Sequence, residues 1–244
     1  MHLYVVRHGH KANQEPDYNG GFNTPLSERG KEQARHVAAY FADIDLDAIY
    51  TSCQLRALQT AQPVSERCEA PWHVWPSLCE VTGTRLADRW QESSDGIDGL
   101  ASWPVDEAIA TPSKEQLSTM DGHYYTLREI PDRFPGAEVT QPFPFPEAWW
   151  VPCEGQTYET GFARVELGAE AIRERHERNE SVAVICHNGS ANMFVTTLMG
   201  YPREPQFPIR FGTAGITRLD LNDDGNWRIG YANRRAHLPE HLQL

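Results

Sequence analysis

The sequence lacks any long hydrophobic run, and this absence excludes a helix that crosses a membrane. A membrane span needs about 20 consecutive apolar residues, whereas the most apolar run of the chain, residues 182–186, has five. The short apolar stretch at residues 3–6 is followed at once by Arg7 and has no cleavage-like segment. We therefore do not expect a signal peptide.

The chain is also poor in basic residues relative to acidic ones. It has 22 Lys and Arg against 34 Asp and Glu, which gives a formal net charge of −12. Binding along nucleic acid or on an anionic membrane requires a broad positive surface, so the charge argues against both kinds of partner. A small anionic ligand is still compatible with the sequence, because a few arginines in one cleft can dominate the local field.

The cysteines are odd in number and include no C-x-x-C pair. This pattern predicts reduced thiols in a cytoplasmic protein and argues against a zinc site or a disulfide framework. The sequence contains no internal repeat and no low-complexity tract. The five cysteines are Cys53, Cys68, Cys79, Cys153 and Cys186.

The 244 residues suit one domain, and the hydrophobic periodicity indicates an α/β fold. Alternating strands and helices predict a mostly parallel sheet, in which ligands bind at the carboxyl ends of the strands. The turn sequence Asn-Asp-Asp-Gly at 222–225 joins the last two strands. The predicted order is strand 2–6, helix 27–41, strand 48–50, helix from about 55, strand 72–75, helix 157–178, strand 182–186, helix to 199, and strands 214–221 and 227–232.

Residues from about 84 to 153 differ in composition from the rest of the chain. Proline, glycine, aromatic and acidic residues dominate there, and the periodicity is weak. Because a structureless loop of this length is unusual inside a compact domain, we expect a single domain, 1–244, with this segment as an inserted, partly helical cap. Its aromatic residues fit either a cap over a substrate or a packed subdomain.

Four segments carry residue types that can act on a phosphoryl group. A neutral imidazole is a competent nucleophile near pH 7, and guanidinium groups match phosphate oxygens in bidentate pairs. A second histidine can add a donor, a carboxyl group can protonate a leaving alkoxide, and backbone N–H groups at a helix start favour an anion. The segments are 7–9 (Arg-His-Gly), 52–61 with Arg56, 78–80 with Glu80, and 186–189 with His187.

These segments make the chain similar to the histidine phosphatase superfamily, also called phosphoglycerate mutase-like. The hallmark Arg-His-Gly stands at 7–9, and the series of matching motifs runs in order from residue 2 to about 238, outside the insertion. Further matches are 24–30 with Gln33 and Ala34, 52–61, Leu78-x-Glu80, 154–157, 187–189, 214–219, Asn233, and His237 with Leu238.

The resemblance implies a three-layer α/β/α sandwich and a catalytic route through a phosphohistidine on His8. It implies that Arg7, Arg56 and His187 hold the phosphoryl oxygens. Glu80 would protonate the leaving group and later deprotonate the attacking water. No metal and no cofactor would take part, and the further substrate-binding candidates are Asn188 and Asn13.

The chain departs from the family pattern at positions that bear on specificity. His10 and Lys11 follow Arg-His-Gly where acid or Gln and then Ser or Thr are common. Asn13 stands one place early, and residues 53–54 are Cys-Gln where a small residue and proline are common. The catalytic positions themselves are intact.

The residues leave several functional hypotheses open. The leading one is a metal-independent phosphatase acting on small phosphomonoesters, and a phosphoglycerate-type mutase is the alternative enzyme. A catalytically silent module that binds a phospho-ligand or protein is a third. A metal site at His8, His10 and Asp17 is disfavoured, because alternate residues on an extended chain point to opposite sides. The oligomeric state stays open, with a homodimer as one option.

Overall fold

Seven strands form one mixed sheet at the centre of this computed structural model, which describes residues 1–16, 23–81, 125–147, 149, 158–203 and 209–243. The strand order is β4-β3-β2-β5-β1-β6-β7. Neighbours from β4 to β1 pair in parallel, and β6 and β7 are antiparallel. This confirms the predicted α/β fold. The strands are β1 His2–Arg7, β2 Ala48–Thr51, β3 Trp72–Val74, β4 Ala137–Val139, β5 Ser181–Cys186, β6 Ile216–Leu221 and β7 Trp227–Arg234.

The helices begin and end at residues with recognisable capping chemistry. The Ser27 hydroxyl accepts a hydrogen bond from the Gly30 amide at the start of α1, and α5 ends at Gly200, whose φ of 66° is left-handed. None of the helices that the structure describes is long and apolar enough for a membrane span. The helices are α1 Glu28–Phe41, α2 Leu55–Cys68, α3 Ile130–Arg133, α4 Tyr158–Arg175 and α5 Asn188–Met199, with 3-10 helices Ala12–Gln14, Pro76–Leu78, Leu127–Glu129 and Glu240–Leu242.

Helices cover both faces of the central sheet. Successive side chains of a strand point to opposite faces, so each inner strand contributes side chains to two cores. On β1, Val6 packs with α1 and α2 in one core, whereas Leu3 and Val5 pack with α4 and α5 in the other. Each fully buried aliphatic side chain contributes about 1.5–3 kcal/mol. The strands that end at the two histidines are therefore held rigidly on both faces.

Part of the segment predicted to be an insertion belongs to the main body of the fold. Strand β4 pairs with β3 at the edge of the sheet, and Tyr125, Phe134 and Trp149 are buried in the core shared with α1 and α2. A strand of three residues between turns gives no usable periodicity, so the pattern did not predict it. Residues 82–124 and 150–157 lie outside the described residues, and the cap boundaries at 84 and 153 stay a prediction.

His237, in the segment after β7, gives the fold a pH dependence that can be measured. Its ring packs 5.5 Å from the Tyr40 ring, and burial lowers the pKa of His237 to about 4. The unfolded histidine has a pKa near 6.5, so below that pH the unfolded chain takes up a proton that the folded chain does not. The stabilisation is complete above pH 6.5 and declines towards pH 4, by about 2 kcal/mol between pH 7 and pH 5.

Urea unfolding of the wild type and of His237→Gln across pH 4–8 tests this expectation. The free energy of unfolding of the wild type should fall relative to that of the variant by about 2 kcal/mol between pH 7 and pH 5. Carboxylates and the other buried histidines titrate equally in both proteins, so they cancel in the difference. Two parallel curves would contradict the assignment.

Candidate active site

The two histidines of the recognised motifs meet at the carboxyl edge of the sheet. Strands β1 and β5 are parallel neighbours with Arg7 paired to Cys186, so His8 and His187 follow at the same level. Their ring centroids lie 5.0 Å apart with an interplanar angle of 56°. His8 is 2% exposed and His187 is fully buried. Positions far apart in the chain are thus brought together by strand pairing alone.

The hydrogen bonds of His8 determine which ring nitrogen carries the proton and which carries the lone pair. Its Nδ1 lies 2.6 Å from the Gly9 carbonyl oxygen, which can only accept, so Nδ1 carries the proton. The Nε2 atom then has the lone pair, and it accepts a hydrogen bond of 3.2 Å from Arg56 Nε. Burial, followed by the charges of Arg56 and Arg7, lowers the pKa of His8 well below its usual value. The ring is therefore neutral at pH 7.

His187 is oriented by a serine of the arginine motif. The Ser52 hydroxyl lies 2.6 Å from His187 Nε2. It also accepts a hydrogen bond of 3.2 Å from the backbone amide of Gln54. The other ring nitrogen, Nδ1, is buried without a partner among the described residues. Burial and then the Arg56 charge lower the pKa of His187 well below its usual value, so this second histidine is neutral in the unliganded site.

Two guanidinium groups surround the histidines. Arg56, 5% exposed, also donates from Nη2 to the Gln54 side-chain oxygen at 3.2 Å. Arg7 donates from Nη1 to the Phe211 carbonyl at 2.5 Å. Burial lowers the pKa of both arginines, and the Glu80 charge opposes this effect. Both guanidiniums stay charged at neutral pH, so the site is locally cationic in a protein of net negative charge.

The Glu80 side chain contacts the first turn of α5, next to His187. Its carboxylate accepts hydrogen bonds from the backbone amides of Gly189 at 3.3 Å and Ser190 at 3.1 Å. It also accepts a bond of 3.2 Å from Val81. These first amides of a helix are donors that need an external acceptor. The carboxylate thus sits beside the motif that carries the second histidine.

A buried arginine that sequence reasoning missed holds the segment before Glu80. Arg164 of α4 is 2% exposed and donates from Nη1 to the Ser77 carbonyl at 2.6 Å and from Nη2 to the Cys79 carbonyl at 2.8 Å. The available signal was its place on the apolar face of α4, between Phe162 and Val165. A charged residue on such a face requires partners.

Glycines of two motifs allow the loop after His8 to approach α1 closely. A Cβ at Gly9 would lie 2.7 Å from the Gly30 carbonyl oxygen, and one at Gly30 would lie 2.0 Å from the His10 carbonyl oxygen. Both distances are too short for real contacts. The glycine of Arg-His-Gly and the glycine of the first-helix motif are therefore needed for the same backbone contact.

The remaining predicted residues lie at different distances from this centre. Asn188 is the first residue of α5, and its Oδ1 is buried with no partner within the described ranges. Asn13 is exposed in a 3-10 helix, and the contacts recorded for the described residues do not join it to the two histidines. Among the described residues, Cys53, Cys68, Cys79 and Cys186 take part in no disulfide.

The metal hypothesis at the first histidine motif gains no geometric support. His10 Nδ1 lies 2.8 Å from the Ser27 hydroxyl, which caps α1, and Asp17 lies outside the described residues. In the part of the chain that the structure describes, no group of three or more His, Cys, Asp or Glu side chains could hold a metal ion.

A mixed sheet covered on both faces, with two histidines and two arginines at its carboxyl edge, defines an α/β protein whose site suits a small anion. The chain belongs to the histidine phosphatase superfamily (branch 1), whose family model matches residues 3–121 and 116–234.

Similar proteins cover nearly the whole chain. A Hydrogenobacter thermophilus protein provisionally named phosphoserine phosphatase 2 is 26% identical over 239 residues, 96% of either chain. The adenosylcobalamin/alpha-ribazole phosphatase of Escherichia coli is 22% identical over 229 residues, 91% of either chain. The structure of Bacillus stearothermophilus YhfR superimposes with a TM-score of 0.60 at 19% identity, covering 97% of this chain and 98% of that one.

Proposed function

We propose that this protein is a metal-independent phosphatase that hydrolyses small phosphomonoesters through a phosphohistidine on His8. The observation that carries this proposal is the state of His8 Nε2. Nε2 carries no proton, because the ring proton is on Nδ1, which donates to the Gly9 carbonyl oxygen. Nε2 lies against the Arg56 guanidinium, and the His8 ring lies against the ring of the second histidine. A neutral nucleophile in contact with fixed cationic donors is the arrangement that attack on a phosphate dianion requires.

In the first half-reaction, His8 Nε2 forms a bond to phosphorus as the bond from phosphorus to the ester oxygen breaks. Glu80, in its acid form, gives its proton to that oxygen, so the alcohol leaves uncharged. Arg7 and Arg56 hold the phosphoryl oxygens and offset their charge. We assign the proton of His187 to Nδ1, with the Ser52 hydroxyl donating to Nε2, so that Nδ1 supplies a further donor.

In the second half-reaction, water attacks the phosphohistidine. The water oxygen bonds to phosphorus, the nitrogen–phosphorus bond breaks, and the Glu80 carboxylate takes the water proton. The enzyme returns to its starting state and releases inorganic phosphate. The amides of Gly189 and Ser190 support the carboxylate between these steps, since they donate to it in the unliganded site.

The substrate class is proposed to be small phosphorylated molecules. The two curated relatives described above are named for phosphoserine and for alpha-ribazole compounds. The net charge of −12 disfavours a large polyanion. The cytoplasmic location stays a prediction, and the oligomeric state stays open.

We expect phosphate release from p-nitrophenyl phosphate that is insensitive to EDTA. The two arginines supply the positive field that a metal ion supplies in other phosphatases. The measurement is steady-state turnover after EDTA treatment, with and without added Mg²⁺, Mn²⁺ or Zn²⁺. A rate that appears only with added metal would refute the metal-independent route.

The same assay with phosphorylated metabolites separates the competing functions. Simple phosphate release supports the phosphatase. Isomerisation of a phosphoglycerate that depends on a bisphosphoglycerate primer would indicate the mutase. Tight phosphate binding without any turnover would indicate the silent module.

A further inference from the structure

The Gln54 side chain connects the two halves of the candidate site. Its Oε1 accepts a hydrogen bond of 3.2 Å from Arg56 Nη2 and one of 3.0 Å from the Glu80 backbone amide. Both partners can only donate, so the oxygen of the carboxamide must face them. Gln54 is fully buried, and this geometry joins the arginine of the α2 motif directly to the segment of the proton donor.

Helix capping does not explain this side chain. Gln54 is the N-cap residue of α2, a position where Ser, Thr, Asp and Asn are preferred, yet its side chain makes no capping hydrogen bond. It turns instead towards Arg56 and Glu80. The family pattern has a different residue type here, so the resemblance assigns Gln54 no role.

A neutral acceptor has an electrostatic advantage at this position. The Arg56 guanidinium needs a partner because it is 5% exposed and burial disfavours its charge. A carboxylate partner would fix the guanidinium but would also neutralise it. A carboxamide oxygen fixes the same group and adds no second negative charge to that of Glu80.

We propose that Gln54 is a positioning residue that holds Arg56 and Glu80 in register with His8 without placing a further negative charge against the arginine. This inference rests on the proposed function and assigns it one further residue. Loss of Gln54 Oε1 would remove the shared acceptor, so that the Arg56 guanidinium and the segment around Glu80 could move independently of each other. Misplacement by about 1 Å can reduce turnover by about 100-fold.

Other contacts hold the two segments, so a Gln54 variant is expected to fold. The sulfur atoms of Cys53 and Cys79 lie 3.1 Å apart, and the Tyr125 hydroxyl donates to the Cys53 carbonyl at 2.9 Å. Arg164 holds the Cys79 carbonyl independently. The effect of the substitution should therefore appear in kinetics more than in stability.

The test compares Gln54→Met, which keeps the length of the side chain but removes the acceptor, with Gln54→Glu, which keeps the acceptor and adds charge. For Gln54→Met, kcat should fall about 10- to 100-fold, with a larger loss on alkyl phosphates than on p-nitrophenyl phosphate. For Gln54→Glu, the dependence on the leaving group should return to that of the wild type. Its KM should rise on the order of 10-fold, because the new carboxylate cancels the Arg56 charge.

The matched control is the variant Gln62→Met. Gln62 is a glutamine on α2 whose side chain donates to Glu66, so this variant should keep wild-type kinetics. Inorganic phosphate binding, followed by calorimetry, provides a readout that does not depend on turnover. Affinity should weaken in Gln54→Met and more strongly in Gln54→Glu. Folded Gln54 variants with wild-type phosphate affinity and leaving-group dependence would overturn the inference, whereas a wild type that binds phosphate but hydrolyses no ester would overturn only the proposed function.

Discussion

Replacement of His8 by alanine is expected to abolish phosphatase turnover while the protein stays folded. The substitution removes the only ring nitrogen that we assign to attack on phosphorus, and the arginines and Glu80 cannot replace a nucleophile. By analogy with the removal of other catalytic nucleophiles, kcat should fall by at least about 10⁴-fold. Steady-state assays with p-nitrophenyl phosphate measure this loss, and circular dichroism and an unfolding curve report on the fold.

Two further experiments separate loss of the nucleophile from loss of packing. The wild type, quenched with alkali during turnover, should retain protein-bound phosphate that acid releases, as expected of a phosphohistidine. His8→Ala should retain none, and added imidazole should restore part of its turnover by occupying the cavity. A variant that still carries protein-bound phosphate at the wild-type level would place the nucleophile elsewhere.

His10→Ala is the matched control for this experiment. His10 is two residues from His8, and its ring bonds to the Ser27 hydroxyl, so the substitution removes an imidazole from the same loop without touching Nε2 of His8. We expect turnover within a few-fold of the wild type. An equally large loss would mean that the integrity of the loop, and not the nucleophile, is being measured.

The meeting of His8 and His187 could be anticipated from the sequence, but their exact relation could not. Two apolar runs that each end at a histidine predict two strands whose carboxyl ends share an edge of the sheet. That β1 and β5 are direct neighbours, with Arg7 opposite Cys186, depends on the order of all seven strands. Strand order is set by packing of the whole chain, which local periodicity does not report.

The contacts that orient the site were less predictable than the residues themselves. Arg56 was identified from its motif, yet Ser52 and Gln54 act through side-chain contacts with distant segments. Ser52 bonds to His187, and Gln54 accepts from the Glu80 backbone amide. Arg164 lies 84 positions from Glu80 in the chain. It reaches the residues just before Glu80 only because α4 packs against them. Glycine at Gly168 permits this approach, since a Cβ would lie 2.5 Å from the Ser77 hydroxyl.

The local charge also differs from what the composition indicates. The net charge of −12 describes the surface as a whole, whereas the site combines Arg7 and Arg56 with the half-buried Lys11. Burial, and then the charges of Arg56 and Arg7, lower the pKa of Lys11, which places this lysine within electrostatic range of both arginines. The acidic surface and the cationic site together favour a compact anion over a long one.

Replacement of Glu80 by glutamine should produce a loss that depends on the leaving group. A glutamine has nearly the same shape, and its one carboxamide oxygen can still accept from the backbone amides of Ser190 and Val81, whereas the bond from Gly189 to the other carboxylate oxygen is lost. It cannot donate a proton to a departing alkoxide. With alkyl phosphates kcat/KM should fall by about 10²- to 10⁴-fold. With p-nitrophenyl phosphate, whose leaving oxyanion is stable without a proton, the loss should be much smaller.

A series of aryl and alkyl phosphates, assayed with both proteins, measures this difference as a steeper dependence on leaving-group basicity in the variant. Glu69→Gln is the matched control, because Glu69 is an exposed acid at the end of α2 and should not change the slope. Equal losses across the series would show that Glu80 acts on binding or on the helix start alone. A steeper slope would assign the proton to the carboxylate that α5 holds beside His187, since no change in phosphate binding can depend on the basicity of the group that leaves.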